Sequence, residues 1–371
     1  MRASEVTADL MSLSLLTLGD PKQRTGGYRY HRMMADAAAD HGAEIRFTSI
    51  PPAGWPTGVA GAVREASVGA HAILLDSIAA ARAAPWLGRA SAPLVAVVHQ
   101  RPGGVGHGRI RARFLAAVDR SAYRRAAGAI VASDDLVDDL RRAGVQDERI
   151  RVVHPGCDVP VAPGPRLDLR RGRDVAVLCV ANWLPAKGIL ELLDAFATLP
   201  AEAATLWLVG SQDADRAYRE RVRRRISSPD LSPRVAAAGP LPIEQVGRYL
   251  RSADVFAMCS TVDAYGTAWA EAIRAGLPVV GWRAANLPRL AGDGREALMA
   301  PPGDGRRLAA ALRSVVTDAG VREHLAAGAR RRAQTLPTWE RSAERFFVAV
   351  RELLRPRTTI LREADDAGTK A

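Results

Sequence analysis

Three side chains in this sequence are of types and spacings suited to chemistry on an anion. Asp263 and Glu271 fall in the stretch Met258 to Gly281, MCSTVDAYGTAWAEAIRAGLPVVG, and Lys187 falls in Ala181-Asn-Trp-Leu-Pro-Ala-Lys187-Gly188. The turn Asp263-Ala-Tyr-Gly266 leads into Thr267–Ala275, a run with helical periodicity whose stop signals are Gly276 and Pro278. A loop feeding a helix leaves backbone N–H groups unpaired at the positive end of the helix dipole, which makes a phosphate seat. Gly266 lets a ligand approach that backbone closely. A carboxylate beside such a seat is best used on hydroxyls, as acceptor for a ribose or a sugar, while one ammonium at a strand-to-helix turn neutralises a phosphate oxygen. The combination suits a sugar nucleotide. Bland readings stand beside it: Asp263 as a helix cap, Glu271 as a solvated helix position, Lys187 as a surface lysine.

The elements that must position these groups alternate between strand and helix. Leu13–Leu18 reads as a buried strand, Gly19–Gly27 as the loop after it, and Thr25-Gly-Gly27 opens a helix over Tyr28–His41. Apolar runs recur at Glu44–Ser49, His71–Leu75, Leu94–His99, Ala129–Ala132 and Ile150–Val153, and again at Val175–Val180, Leu206–Gly210, Val235–Ala238, Asp254–Cys259 and Pro278–Gly281. Such alternation predicts parallel sheets with ligands at the carboxyl ends of the strands. His99 occupies one such end, before the glycine-rich loop Arg101–Gly108, where it either contacts a sugar hydroxyl or the acceptor or is merely structural. GxGxxG is absent, which disfavours a dinucleotide enzyme. In the helix opened by Ser133, Asp134 and Asp135 read as partners of the helix dipole. Pro160–Arg173, rich in proline, glycine and arginine, reads as a linker. The expected units are residues 1–160, the linker 161–173, a second domain 174–337, a helix 338–356 and a disordered tail 357–371.

At 371 residues, with 48% hydrophobic and 25% charged side chains, the chain fits two soluble globular domains. Cys157, Cys179 and Cys259 are too far apart for a zinc motif or a disulfide framework, which fits a cytoplasmic setting. Leu10–Leu18 is too short to span a bilayer. The net charge of +12 is spread over both halves. Its densest stretch, Arg101–Arg125, reads as a site for an anionic acceptor, as a peripheral membrane contact at the inner membrane face, or as a solvated helix face. No nucleic-acid recognition motif accompanies the charge, so nucleic acid is disfavoured as a partner.

Asp263-x7-Glu271, followed by a small-residue helix and Gly-Leu-Pro-Val-Val, resembles the acidic signature of the retaining GT-B glycosyltransferases of the family-four type. The resemblance runs from Gly26 to Val350 and is most specific over 180–197 and 254–304. It implies an α/β fold of two doubly wound Rossmann-like domains facing across a cleft, with the helix from Thr338 crossing back onto the first domain. It also implies transfer of a sugar, with retention, from a UDP- or GDP-sugar to a hydroxyl of a small-molecule, lipid-linked or polysaccharide acceptor, without metal or cofactor. On that pattern the catalytic residues are His99, Lys187, Asp263 and Glu271. The donor meets the Gly26 and Gly27 amides, Asn182, Lys187, the stiff turn Gly239-Pro240-Leu241, and Asp263, Tyr265, Gly266, Thr267 and Glu271. The chain departs from the family at Asp263, usually Glu, and at Asn182, usually Arg. A third departure is Ala285-Asn-Leu-Pro-Arg289, which stands for Gly-Gly-x-Pro-Glu. These departures keep a second reading alive, a non-catalytic sugar-nucleotide-binding protein.

Overall fold

The computed structural model describes residues 10–21, 26–51, 57–104 and 108–355. Thr25, part of the Arg101–Gly108 loop, residue 356 and the tail 357–371 therefore lie outside the described residues. The first sheet comprises β1 (Met11–Leu18), β2 (Ala43–Ile50), β3 (Ala72–Asp76), β4 (Leu94–Val98), β5 (Gly128–Val131) and β6 (Ile150–Val152). The second comprises β7 (Val175–Val180), β8 (Ala204–Val209), β9 (Val235–Gly239), β10 (Val255–Ala257), β11 (Val279–Trp282) and β12 (Ala297–Ala300). Every strand pairing is parallel.

Composition explains which strands lie inside. β3, β4 and β5 read AILLD, LVAVV and GAIV and are buried at every position, as strands covered by helices on both faces must be. The edge strand β2, AEIRFTSI, alternates instead and exposes Glu44 and Arg46 to solvent. The strand orders are β2-β1-β3-β4-β5-β6 and β12-β11-β10-β7-β8-β9. Winding therefore reverses between β1 and β3 in one sheet and between β7 and β10 in the other. At such a reversal the connections leave in opposite directions, opening a crevice beyond the carboxyl ends of the strands. The loop before Gly26 and the residues Asp76 and His99 follow β1, β3 and β4, while the turns bearing Lys187 and Asp263 follow β7 and β10. Topology alone thus brings the candidate residues to two crevices.

Two long-range ties hold the halves together. The helix Trp339–Leu354, capped by Thr338, buries Phe346, Phe347 and Val350 against Leu13, Leu15 and Tyr30 of the first sheet's layer. Each ring so buried stabilises the fold by about 2–3 kcal/mol. Trp339 N donates to Asp158 Oδ1 at 2.7 Å, fixing the crossover beside the chain that leaves the first sheet. The second half of Pro160–Arg173 is anchored on the second sheet: Trp207 Nε1 donates to the Leu169 carbonyl (2.8 Å) and Thr205 Oγ1 to that of Arg170 (2.7 Å). One expected helix differs. In place of Tyr28–His41 the structure has Gly26–Asp36 and a separate short turn Ala39–His41, closed by Gly42 in the left-handed region at φ 63°.

Candidate active site

The Lys187 turn is pressed onto the loop after β10. Thr261 N donates to the Ala186 carbonyl at 2.9 Å, and Ser260 Oγ donates to the same oxygen at 3.2 Å. Gly188 makes this approach feasible, since its φ is 66° and an added Cβ would stand 2.1 Å from the Cys259 carbonyl oxygen. The result is that Lys187 Nζ reaches Asp263 Oδ2 at 2.5 Å, with Ser260 Oγ 3.4 Å from the same oxygen. Both charged side chains keep about a fifth of their surface in solvent, 22% and 20%, so the pair opens onto the crevice. Replacing Gly188 with alanine is expected to destabilise the fold by about 2 kcal/mol or more through strain and clash. Denaturant unfolding checks this; an unchanged midpoint would show that the turn tolerates a side chain.

Immediately beyond Asp263, Gly266 caps the helix Thr267–Arg274 at φ 82° without any side-chain acceptor. Its first-turn N–H groups thus keep the anion-attracting character of an uncapped helix start. Gly26, from the other domain, faces this point: a Cβ there would lie 3.1 Å from Thr267 Oγ1. One turn further along both helices, Arg29 forms an ion pair with Glu271. Arg29 also donates to the Asp158 carbonyl (3.3 Å) and lies 5.2 Å from the centre of the Trp339 ring. Glu271 is buried rather than solvated, at 6% exposure. Burial pushes its carboxyl above the ordinary range, with the Arg29 charge and hydrogen bond opposing that rise.

A second set of contacts joins the domains. Arg289 pairs with Asp135 at 2.7 Å, and, within the first domain, His154 Nε2 lies 3.2 Å from Asp134 Oδ2. The two first-turn acids, read from sequence as dipole partners, therefore also hold specific side chains, and one of these is the arginine standing where the family usually has an acid. The His154 ring stacks on that of Tyr265 at 5.5 Å, and Asn286 Nδ2 donates to the Tyr265 carbonyl at 2.7 Å. Tyr265 is buried, so what it can offer a ligand is backbone. Ala285, in the place of a family glycine, holds φ 49°. Asn182 accepts a hydrogen bond from Ser211 N through Oδ1 (3.0 Å), which leaves its amide nitrogen as the group that can face an anion. Gly239 ends β9, and Pro240 and Leu241 follow it at the same end of the sheet, Pro240 exposed and Leu241 packed on the core.

His99 stands at the end of β4 within a polar cluster that the sequence did not reveal. His31 Nε2 lies 3.0 Å from Asp76 Oδ2, and that carboxylate also accepts from Thr17 Oγ1 (2.7 Å) and, through Oδ1, from Ile78 N (3.2 Å). The His99 ring contacts those of His31 and Tyr30 at centroid distances of 4.7 and 4.6 Å. Its Nε2 is buried without a hydrogen-bond partner. Burial, followed by the adjacent His31 charge, lowers the His99 pKa to about 3, with Asp76 opposing. Among the described residues His31, Asp76 and His99 are the group whose ligand atoms, all within 4.8 Å of one another, could hold a metal ion. Asp76 accepts hydrogen bonds from Thr17 and Ile78 and stands at ion-pair distance from His31, whose Nε2, like that of His99, is buried without a hydrogen-bond partner.

The depressed His99 value has a stability consequence. An unfolded histidine takes up a proton near pH 6.5 while the folded one stays neutral to about 3. The unfolded state therefore binds more protons in that window, and stability falls as pH drops from about 6.5 toward 3, by roughly 1.4 kcal/mol per unit from this group. His99→Gln is expected to flatten the slope relative to wild type in melting curves between pH 7 and pH 4.5; identical slopes would contradict it.

Comparison with known proteins gives findings of three kinds. Residues 3–156 match the model described as "Glycosyl transferase 4-like domain", and residues 174–318 match "Glycosyl transferases group 1". The chain is 32% identical over 214 residues to D-inositol 3-phosphate glycosyltransferase of Nocardioides sp., an alignment covering 53% of this chain and 46% of that protein. It is 27% identical to mannosylfructose-phosphate synthase of Agrobacterium fabrum, covering 62% and 53%; the chain thus spans about half the length of the curated relatives it matches. Its fold superposes on Anabaena HepE in complex with UDP-glucose with a TM-score of 0.76, 20% identity and coverage of 91% and 99%. Sucrose-phosphate synthase of Thermosynechococcus elongatus gives 0.77, 21%, and coverage of 92% and 99%.

Proposed function

This chain belongs to the GT-B glycosyltransferases, and from that premise we propose that it transfers a sugar from a UDP- or GDP-sugar to a hydroxyl acceptor, with retention and without a metal ion. The observation that carries this reading is the Lys187–Asp263 pair at the β7/β10 reversal, beside the uncapped start of the helix Thr267–Arg274 and opposite Gly26. Supporting it, the names of the two relatives are those of enzymes that build glycosides, and HepE was solved with UDP-glucose.

The chemistry follows from where charge develops. As the bond from the anomeric carbon to the diphosphate oxygen breaks, negative charge builds on the leaving phosphate. Preorganised donors aimed at that charge lower the barrier. Lys187 supplies a full positive charge, and the Asn182 amide and the N–H groups of Gly266 and Thr267 supply dipoles. Asp263, released from Lys187, accepts from sugar hydroxyls. Glu271 serves the ribose, which requires it to exchange its bond with Arg29. The acceptor oxygen bonds to the anomeric carbon on the face the diphosphate leaves, and its proton passes to a leaving-phosphate oxygen, so neither an enzyme nucleophile nor a separate base is needed.

The test is incubation with UDP- and GDP-sugars, in EDTA, together with panels of phosphorylated polyols, glycolipid extracts and oligosaccharides. The reading expects nucleotide release with one donor class and a new anomeric proton signal of the donor's configuration. Tight nucleotide binding with no product across all panels would favour the non-catalytic sugar-nucleotide-binding protein; an inverted product would remove retention.

A further inference from the structure

The first turns of the helix Arg109–Arg125 lie at the domain surface. Its inner face, Ala112, Ala116 and Asp119, packs against the preceding loop: Gly103 has no room for a Cβ beside the Ala112 carbonyl oxygen (2.4 Å), and Gly103 N donates to Asp119 Oδ2 at 2.8 Å. The outer face carries Ile110 at 87% exposure and Phe114 at 68%, the former the most exposed large apolar side chain of the described residues. These two stand one turn apart and so project side by side. Ala117, also exposed, continues the stripe at helical spacing. Arg111 and Arg113 flank it, both exposed and without an ion-pair partner among the described residues, while Arg124 and Arg125 are tied back to the carbonyls of Ala143 and Ala84.

Water gives a folded chain no reason to hold a phenyl ring and a branched aliphatic side by side in solvent between two unpaired guanidinium groups. A small anionic acceptor would use the arginines but not the projecting apolar pair. An anionic bilayer uses both: the apolar side chains enter the boundary between headgroups and acyl chains, and the arginines meet phosphates. We propose that the first two turns of this helix dock the protein onto an anionic membrane surface, with Ile110 and Phe114 inserted and Arg111 and Arg113 at the headgroups. The helix starts beyond the carboxyl end of β4, where His99 stands, so docking brings the rim of the first domain's crevice to the bilayer. Membrane contact is independent of the transfer reaction, and its test uses no donor.

The experiment is co-sedimentation of the full chain with vesicles of pure phosphatidylcholine and of phosphatidylcholine containing phosphatidylglycerol, at low and high salt. The wild type is expected to bind only the anionic vesicles, more weakly at high salt. A variant with Ile110→Ser and Phe114→Ser, and a second with Arg111→Ser and Arg113→Ser, should each partition at least about tenfold less, with unchanged melting temperatures because all four side chains are exposed. Equal binding to both vesicle types, no binding by the wild type, or undiminished binding by the apolar variant would overturn the proposal. So would a dimer that depends on Ile110 and Phe114 in the absence of vesicle binding, since a second copy would then cover the stripe.

Discussion

Replacing Lys187 with alanine lowers kcat/KM for the donor by about 100- to 1000-fold, a loss of roughly 2.7–4 kcal/mol of transition-state stabilisation, while the protein stays folded. The size follows from position. Lys187 holds the charge at the end of β7, in a crevice where Asn182 brings only a dipole and spends its carbonyl on Ser211 N. A fixed charge in a partly shielded crevice acts on developing charge without reorganising water. Stability changes little, because Asp263 keeps 20% of its surface in solvent and is hydrated once its partner is gone. Lys187→Arg should retain part of the activity. Steady-state kinetics with the donor checks the assignment; a loss below about fivefold would place the diphosphate elsewhere.

Replacing Glu271 with alanine costs about 3–5 kcal/mol of stability, since it removes one partner of a buried ion pair and leaves the other charged and unmatched. Arg29 is 15% exposed and held between Trp339 and the Asp158 carbonyl, so it cannot swing into water without giving up contacts that fix the start of the crossover helix. The double variant Arg29→Met, Glu271→Leu removes both charges and should regain most of that stability. It should not regain donor binding, because the carboxylate that would meet the ribose is still missing. Denaturant unfolding and donor KM, measured on the two single variants and the double, separate the roles. Equal instability of Glu271→Ala and the double variant would show that the pair contributes no coupling.

The strands were legible because parallel sheets bury both faces and write themselves as unbroken apolar runs, as in VAVLCV and LVAVV. The helix start at Thr267 was legible for a related reason, since a glycine that caps a helix and an acid beside it fall within one short stretch. Side-chain partners across the cleft were not. Nothing local ties Arg29 to Glu271 or Asp135 to Arg289, which are far apart in sequence and meet only when two sheets face one another. Arg29 did carry one signal, its place one turn after Gly26 and hence on the same helix face. The pairing of His31 with Asp76 was hidden because each looks ordinary alone, one in a helix and one capping the helix Ser77–Ala83. The short edge strand Ala297–Ala300, ALMA, lacks the β-branched residues that marked its neighbours.

The central claim is that a nucleoside diphosphate sits between Lys187 and the start of the helix Thr267–Arg274. Thermal unfolding in EDTA, with saturating UDP, GDP and ADP in turn, tests it on wild type and Lys187→Ala. At about a hundred times its dissociation constant a ligand stabilises by roughly 2.7 kcal/mol, which raises the midpoint by several degrees. The account predicts that shift with UDP or GDP in the wild type and its loss in the variant. No shift with any nucleotide, or a shift undiminished in Lys187→Ala, would contradict it.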